Sequence, residues 1–178
     1  YGTLYGGFND VGHGGGLFLN QTWGTLDNMD IHHNTASMNG GGVWSSEGSA
    51  WTMTNSNISD NIAPYNGGGF GFWNHNGEDL NATLINVTIE NNTAQPGWFV
   101  GHGGGVWANN SNTIFQDCII RNNTAGGNGG GINYFEGGWP ELYNCVIDGN
   151  TSNAIGGGVY IHDEGGWNNN GLTMDRCL

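Results

Sequence analysis

Six glycine triplets, each followed by an apolar residue, set the ruler of this chain: Gly14-Gly15-Gly16-Leu17, Gly40-Gly41-Gly42-Val43, Gly67-Gly68-Gly69-Phe70, Gly103-Gly104-Gly105-Val106, Gly129-Gly130-Gly131-Ile132 and Gly156-Gly157-Gly158-Val159. Successive triplets lie 26, 27, 36, 26 and 27 residues apart. A repeat of this length marks a solenoid, a propeller or an array. A second landmark, Ile-x-x-Asn, precedes each later triplet and ends at Asn34, Asn61, Asn92, Asn123 and Asn150. Two residues further on stands a small residue: Ala36, Ala63, Ala94, Ala125 or Ser152. Bulky apolar residues (Leu26, Met53, Leu84, Phe115, Leu142) precede the Asn at one fixed offset, and Asn or Asp (Asn28, Asn55, Asn86, Asp117, Asn144) at another.

Glycine punctuation this dense excludes long helices, and the short apolar runs alternate as strands do. A propeller blade needs more residues than most of these units offer. A sandwich has no reason to repeat one turn residue at one phase. A coil of parallel strands does, because equivalent residues stack about 4.8 Å apart and identical side chains form ladders. The sequence therefore predicts an all-β, right-handed parallel β-helix (a β-solenoid) of about six coils. The Asn phase is expected to hydrogen-bond along the axis. The residue after each triplet is expected to point into the core, and the next one outward.

A longer period overlies the first. Triplets one and four, two and five, and three and six are each 89 residues apart, and the chain is twice that length. The reading is one β-helix domain over residues 1–178 built from two tandem three-coil modules, 1–89 and 90–178. Extra length in Gly71 to Ala82, Gln95 to Gly101 and His162 to Gly171 is expected to form surface loops. Tyr1 and Leu178 fall at nearly one phase of the coil. That phase is expected of a piece of a longer array, or of protomers that stack head to tail, an open heterologous contact. Tyr1 without a leader-like segment points to a processed secreted protein or an excerpt of a longer one.

Gly-Gly-Gly-[Val/Ile/Leu] together with Ile-x-x-Asn-x-Ala resembles the paired repeats of polymorphic outer-membrane proteins and related surface proteins of the pectate-lyase-like β-helix type. Those carry Gly-Gly-Ala-[Ile/Leu/Val] and Phe-x-x-Asn, so this chain departs by a third Gly and by Ile for Phe. The resemblance covers nearly the whole chain. It implies the right-handed β-helix and a cell-surface or adhesive role, and it carries over no catalytic residue.

Charge narrows the function. The chain has two Lys+Arg against 15 Asp+Glu, a net charge of −13. Such a surface repels nucleic acid and anionic lipid, and no apolar run is long enough for a membrane-spanning helix. Neutral glycans and cations are the suitable partners. No metal site or cofactor is expected beyond weak Ca²⁺ binding by acidic loops. The histidines (His13, His32, His33, His75, His102, His162) are expected in surface or turn roles. Cys118, Cys145 and Cys177 share one phase of three coils with Met29, Ser56 and Val87, so packed free thiols are expected there, with one disulfide as the alternative.

Polysaccharide lyases and hydrolases share such a fold. A lyase usually needs a basic residue, and this chain has no Lys. A hydrolase needs paired carboxylates. Asp27, Asp30, Asp60, Asp117 and Asp148 lie on neighbouring coils, with Glu78-Asp79 and Asp163-Glu164 in the long loops. These read as solvating acids, and the chain is not expected to be an enzyme. Eight Asn-x-Ser/Thr sequons, at Asn20, Asn57, Asn81, Asn86, Asn91, Asn109, Asn122 and Asn150, exceed the three or so expected from composition alone and mark candidate N-glycosylation sites. Asn86 and Asn150, at ladder phases, are expected to be the poorer acceptors. Phe18, Trp44, Trp107 and Tyr160 are the candidate carbohydrate-stacking aromatics. The leading expectation is an extracellular structural β-helix that stacks head to tail into a fibre or surface layer and carries N-glycans. A cell-surface adhesin or carbohydrate-binding passenger segment is the alternative, and a polysaccharide-active enzyme comes third.

Overall fold

A computed structural model of the chain describes residues 12–74, 80–95, 100–162 and 171–178. Every strand pairing is parallel, and the described residues contain no helix. Three sheets run the length of the stack. The first holds the segments after the glycine triplets: β1 (Leu17–Asn20), β4 (Val43–Ser46), β7 (Phe70–Trp73), β10 (Val106–Asn109), β14 (Ile132–Phe135) and β18 (Val159–His162). These six neighbours mark five full turns, in line with the expected coil count. The second contains β2 (Trp23–Asp27), β3 (Asp30–His32), β5 (Ala50–Ser59), β8 (Asn81–Glu90), β11 (Asn112–Gln116), β12 (Ile119–Arg121), β15 (Glu141–Tyr143), β16 (Val146–Asp148) and β19 (Thr173–Asp175). The third is narrow: β6 (Ile62–Ala63), β9 (Thr93–Ala94), β13 (Thr124–Ala125) and β17 (Thr151–Ser152).

Registers follow the sequence ruler. Leu17, Val43, Phe70, Val106, Ile132 and Val159 are partners in one column. Val43, Phe70, Val106 and Ile132 are fully buried, as are Met53, Leu84, Phe115 and Leu142 opposite them. Ala63, Ala94 and Ala125 close the third wall. Their small size brings that wall close to the glycine corner. At Gly103 the backbone is left-handed (φ 66°), which costs an L side chain and suits glycine. At Gly104 the limit is space, since a Cβ there would sit 2.5 Å from the Gly130 carbonyl oxygen.

The Asn phase forms the predicted ladder inside the stack. Asn61 Oδ1 accepts the backbone N–H and the side-chain N–H of Asn34, each at 3.0 Å. Asn61 Nδ2 donates to the Ile31 carbonyl at 2.9 Å and to Asn92 Oδ1 at 3.0 Å. Asn92, Asn123 and Asn150 repeat the pattern. A second column, outside, turns the chain through left-handed backbone at Asn28, Asn55, Asn86, Asp117 and Asn144. Asn tolerates that region best among ordinary residues, which explains why Asn or Asp recurs there.

One expectation needs correction. The stretch Gly71 to Ala82 is not a loop throughout. Gly71–Trp73 belongs to β7, Asn81 and Ala82 open β8, and Phe72, Leu80 and Ala82 are buried. The glycines of that stretch hid a strand whose Phe72 faces the core. His13, expected in a surface or turn role, lies outside the strands beside the Gly12 turn, and there it is buried and packs on Trp44 with ring centroids 4.5 Å apart. Residues 75–79, 96–99 and 163–170, which include His75, Glu78, Asp79, Asp163 and Glu164, lie outside the described residues.

Cys118, Cys145 and Cys177 are free thiols, the first two buried. Each Sγ, with its one S–H, lies within hydrogen-bond distance of two carbonyls; for Cys118 these belong to Leu84 and Gln116, at 3.4 and 3.3 Å. The hydrogen bond with Cys145, and then burial, push the Cys118 thiol well above its ordinary pKa. Ser56 makes the same bond to the Thr54 carbonyl, which explains why Ser and Cys exchange at this phase.

The ladder gives a direct test. Asn92→Ala removes two donated and two accepted hydrogen bonds: it takes their Asn92 partner from Asn61 and the Ile58 carbonyl on one neighbouring coil, and one of two donors from Asn123 Oδ1 on the other. Urea unfolding should show a loss of roughly 3–5 kcal/mol. The exposed neighbour Asn91, itself left-handed (φ 56°), should tolerate Asn91→Gly within about 0.5 kcal/mol.

Candidate functional site

The outward face of the first sheet presents two columns, fixed by strand alternation and register. The first column reads Phe18, Trp44, Gly71, Trp107, Asn133 and Tyr160. The second reads Asn20, Ser46, Trp73, Asn109, Phe135 and His162. All four aromatics singled out from the sequence therefore share a face. They do not share an environment.

Trp44 is only 1% exposed, so it offers no platform to a ligand. This overturns the expectation that its outward position leaves it open. Gly71, on the next coil, is the cause. With no side chain there, Trp44 and Trp107 lean over the gap from either side and stack, with centroids 6.0 Å apart and planes 9° apart. His13 covers Trp44 from another side, and Trp73 meets it edge-on at 6.1 Å. Phe18, Trp107 and Tyr160 stay half-buried.

Beyond Trp107 the face opens into a groove of about 370 Å³. Its walls are Trp107, Tyr160, Phe135 and His162, and its polar groups come from Asn66, Asn128, Asn133 and His102. Phe135 and Tyr160 each stack on the His162 ring, at 5.8 and 6.0 Å. The His102 Nδ1 accepts the Asn128 backbone N–H at 3.0 Å. Burial lowers the His102 pKa below its ordinary value, so this imidazole stays neutral at neutral pH. Among the described lining residues there is no Lys, Arg, Asp or Glu.

Sequence reasoning named Trp107 and Tyr160 but missed Phe135, His162 and the amides. The signal was present. Strand alternation puts the third residue after each triplet-following position on the same face as the first, and only the first was read. Asn133 does not stand out, because four of the other five residues in its slot are aromatic.

The other candidate residues do not gather into a site. Asp27 accepts hydrogen bonds from Thr54 and Asn55, which hold its carboxyl below the usual range. Asp117 is lowered in the same way by Asn144 and Gln116. Both are exposed; Asp117 is a member of the outer column, and Asp27 stands beside it, in register with Thr54. Asp30, Asp60 and Asp148 are exposed as well, and Asp30 lies 3.8 Å from His32. Arg121 pairs with Glu90 on the neighbouring coil at 2.7 Å. No group of three or more His, Cys, Asp or Glu able to hold a metal ion occurs among the described residues. Of the sequon asparagines, Asn20, Asn81, Asn86, Asn91 and Asn122 are exposed, and Asn57, Asn109 and Asn150 are half-buried. Asn86, expected to be a poor acceptor, lies on the outer ladder; Asn150 is a rung of the inner one, its amide engaged by Asn123 and Ile120.

The socket over Gly71 is testable. A Cβ there would penetrate the Trp44 ring. Gly71→Ala should cost about 1–3 kcal/mol and shift the tryptophan fluorescence to the red as Trp44 is displaced. An unchanged spectrum and melting curve would show that the two indoles do not meet over this glycine.

A family model described as the right-handed β-helix region matches residues 8–177. No curated protein and no solved structure matched the chain.

Proposed function

Because the chain belongs to the right-handed β-helix family, we propose that it is a rigid extracellular or cell-surface scaffold that holds carbohydrate in the aromatic groove beyond Trp107. The lining carries this reading: aromatic walls, amide groups at the edges and no fixed charge among the described residues. Sugar rings present apolar C–H faces to aromatic planes and hydroxyls to amides. Pockets of this kind, apolar with a few placed polar groups, are the usual form of small-ligand sites. The chain's net charge of −13 directs it to neutral partners. The surface and adhesive roles implied by the likeness to polymorphic outer-membrane repeats agree with it.

Binding is favoured over cleavage. Glycoside hydrolysis needs two carboxylates about 5–10 Å apart across the scissile bond, and none of the described lining residues is a carboxylate. Five exposed sequon asparagines would let the chain carry N-glycans without disturbing the inner ladder. Affinity electrophoresis through gels holding neutral soluble polysaccharides tests the proposal. At least one polysaccharide should retard the protein. Trp107→Ala should weaken that interaction by about 2 kcal/mol, roughly 30-fold. Free migration through every gel would sink it.

A second reading, a structural protein that stacks end to end, is favoured by one observation. Strand β18 pairs with β14 on one side and with no described strand on the other. An open parallel edge is a template for another strand. Electron microscopy at high protein concentration should then show filaments one coil-stack wide, and Ile161→Asp, within that edge, should abolish them. Monomers at every concentration would dismiss this reading.

A further inference from the structure

Resting on the carbohydrate-binding reading, we infer that Asn133 sets the specificity of the groove, and that its ligand is a linear neutral glycan laid along the coil axis with a hydroxyl or amide N–H turned to the Asn133 carbonyl. Asn133 stands in register between Trp107 and Tyr160. It is only 2% exposed, yet it lines the groove. Its Nδ2 donates to the Asn128 backbone carbonyl at 3.3 Å. A carbonyl only accepts, so this bond fixes which end of the amide is nitrogen. The other end, Oδ1, is sealed from water and has no hydrogen-bond partner. A buried acceptor left unpaired costs about 1–3 kcal/mol, and native chains rarely keep one without a reason. A ligand donor removes that cost.

The acceptor's position also limits the ligand's shape. Trp107 and Tyr160 stand two strands apart, about 10 Å, too far for one sugar ring to cover both. A ligand that uses both rings is a chain running across the strands, with its middle over Asn133. Trp107 and Tyr160 are half-exposed and make ring contacts with Trp44 and His162. The ligand reaches the covered carbonyl by parting these rings. Acidic glycans fit poorly, since none of the described lining residues is a Lys or Arg that could pair with a uronate.

Calorimetry on the folded chain separates this inference from the broader reading. The probes are cello-, chito-, xylo- and manno-oligosaccharides from monomer to hexamer, with oligogalacturonates as the anionic comparison. In at least one neutral series affinity should rise more than tenfold from the monosaccharide and then level off. Oligogalacturonates should bind more weakly than that series. Asn133→Leu should weaken the best ligand about tenfold and narrow the preference among the neutral series, with the parent circular dichroism spectrum retained. Should that variant fail to fold, Asn133→Ser and the length dependence of the parent chain decide. A monosaccharide that binds as tightly as the longest chain overturns the inference, as does a preference for oligogalacturonate or a folded Asn133 variant with unchanged affinity. Absence of binding to every saccharide, with Trp107→Ala silent, overturns the carbohydrate reading itself.

Discussion

The two-way hydrogen bonding of each buried Asn is the constraint from which the rest of the stack follows. Asn61 accepts twice from Asn34, then donates to Asn92 and back to Ile31. Nothing on the amide is left unpaired, so the low dielectric of the core strengthens the network instead of penalising it. A slip of one residue in any coil would bury an unpaired amide and turn an apolar column outward. The ladder thus fixes register for all three sheets. Once register is fixed, every other repeated residue falls into a column: glycines at one corner, alanines at the facing wall, Ile58, Ile89 and Ile120 in the core.

Fixed columns let positions 89 residues apart keep the core and differ at the surface. Counting 89 residues on, Phe18 becomes Trp107, Trp44 becomes Asn133, and Gly71 becomes Tyr160. The core partners of these positions change only among apolar residues: Leu17 to Val106, Val43 to Ile132, Phe70 to Val159. At Trp44 and Gly71 a large ring stands beside an empty slot, and the ring fills it. At Asn133 and Tyr160 an amide stands beside a large ring, and both line the groove. Ser46 to Phe135 and Trp73 to His162 complete the contrast. The groove needed no new backbone, only substitutions on the face that the core does not constrain.

That asymmetry also explains what could be read from the chain alone. The coil, its registers and the inner ladder were legible because each depends on residues repeated at one phase. Phe72 was not, because Gly71 reads as a turn when taken singly and only its neighbours on adjacent coils show it to be a strand. Burial of Trp44 was not legible for the same reason. Alternation correctly assigns it to the outer face, but whether an outer ring is covered depends on the coils above and below. The groove was half legible. Trp107 and Tyr160 stood out as repeats, whereas Asn133 matters because it breaks the repeat, and a search for periodicity discards such a residue.

A solenoid of this kind suits a ligand that is itself a repeating chain. Each coil contributes one residue to each outward column at a constant rise, so a polymer lying across the strands meets successive residues at regular intervals. A rigid core supports those residues: Ile132 is fully buried beneath the column that carries Asn133. The backbone of the site is therefore ordered in folding, and binding has only to part the rings over the Asn133 carbonyl. Aromatic rings supply contact area with little regard to which sugar lies on them. Under the proposed carbohydrate reading, discrimination falls to the position where a ring is missing, and in this groove that position holds a dry amide carbonyl without a hydrogen-bond partner.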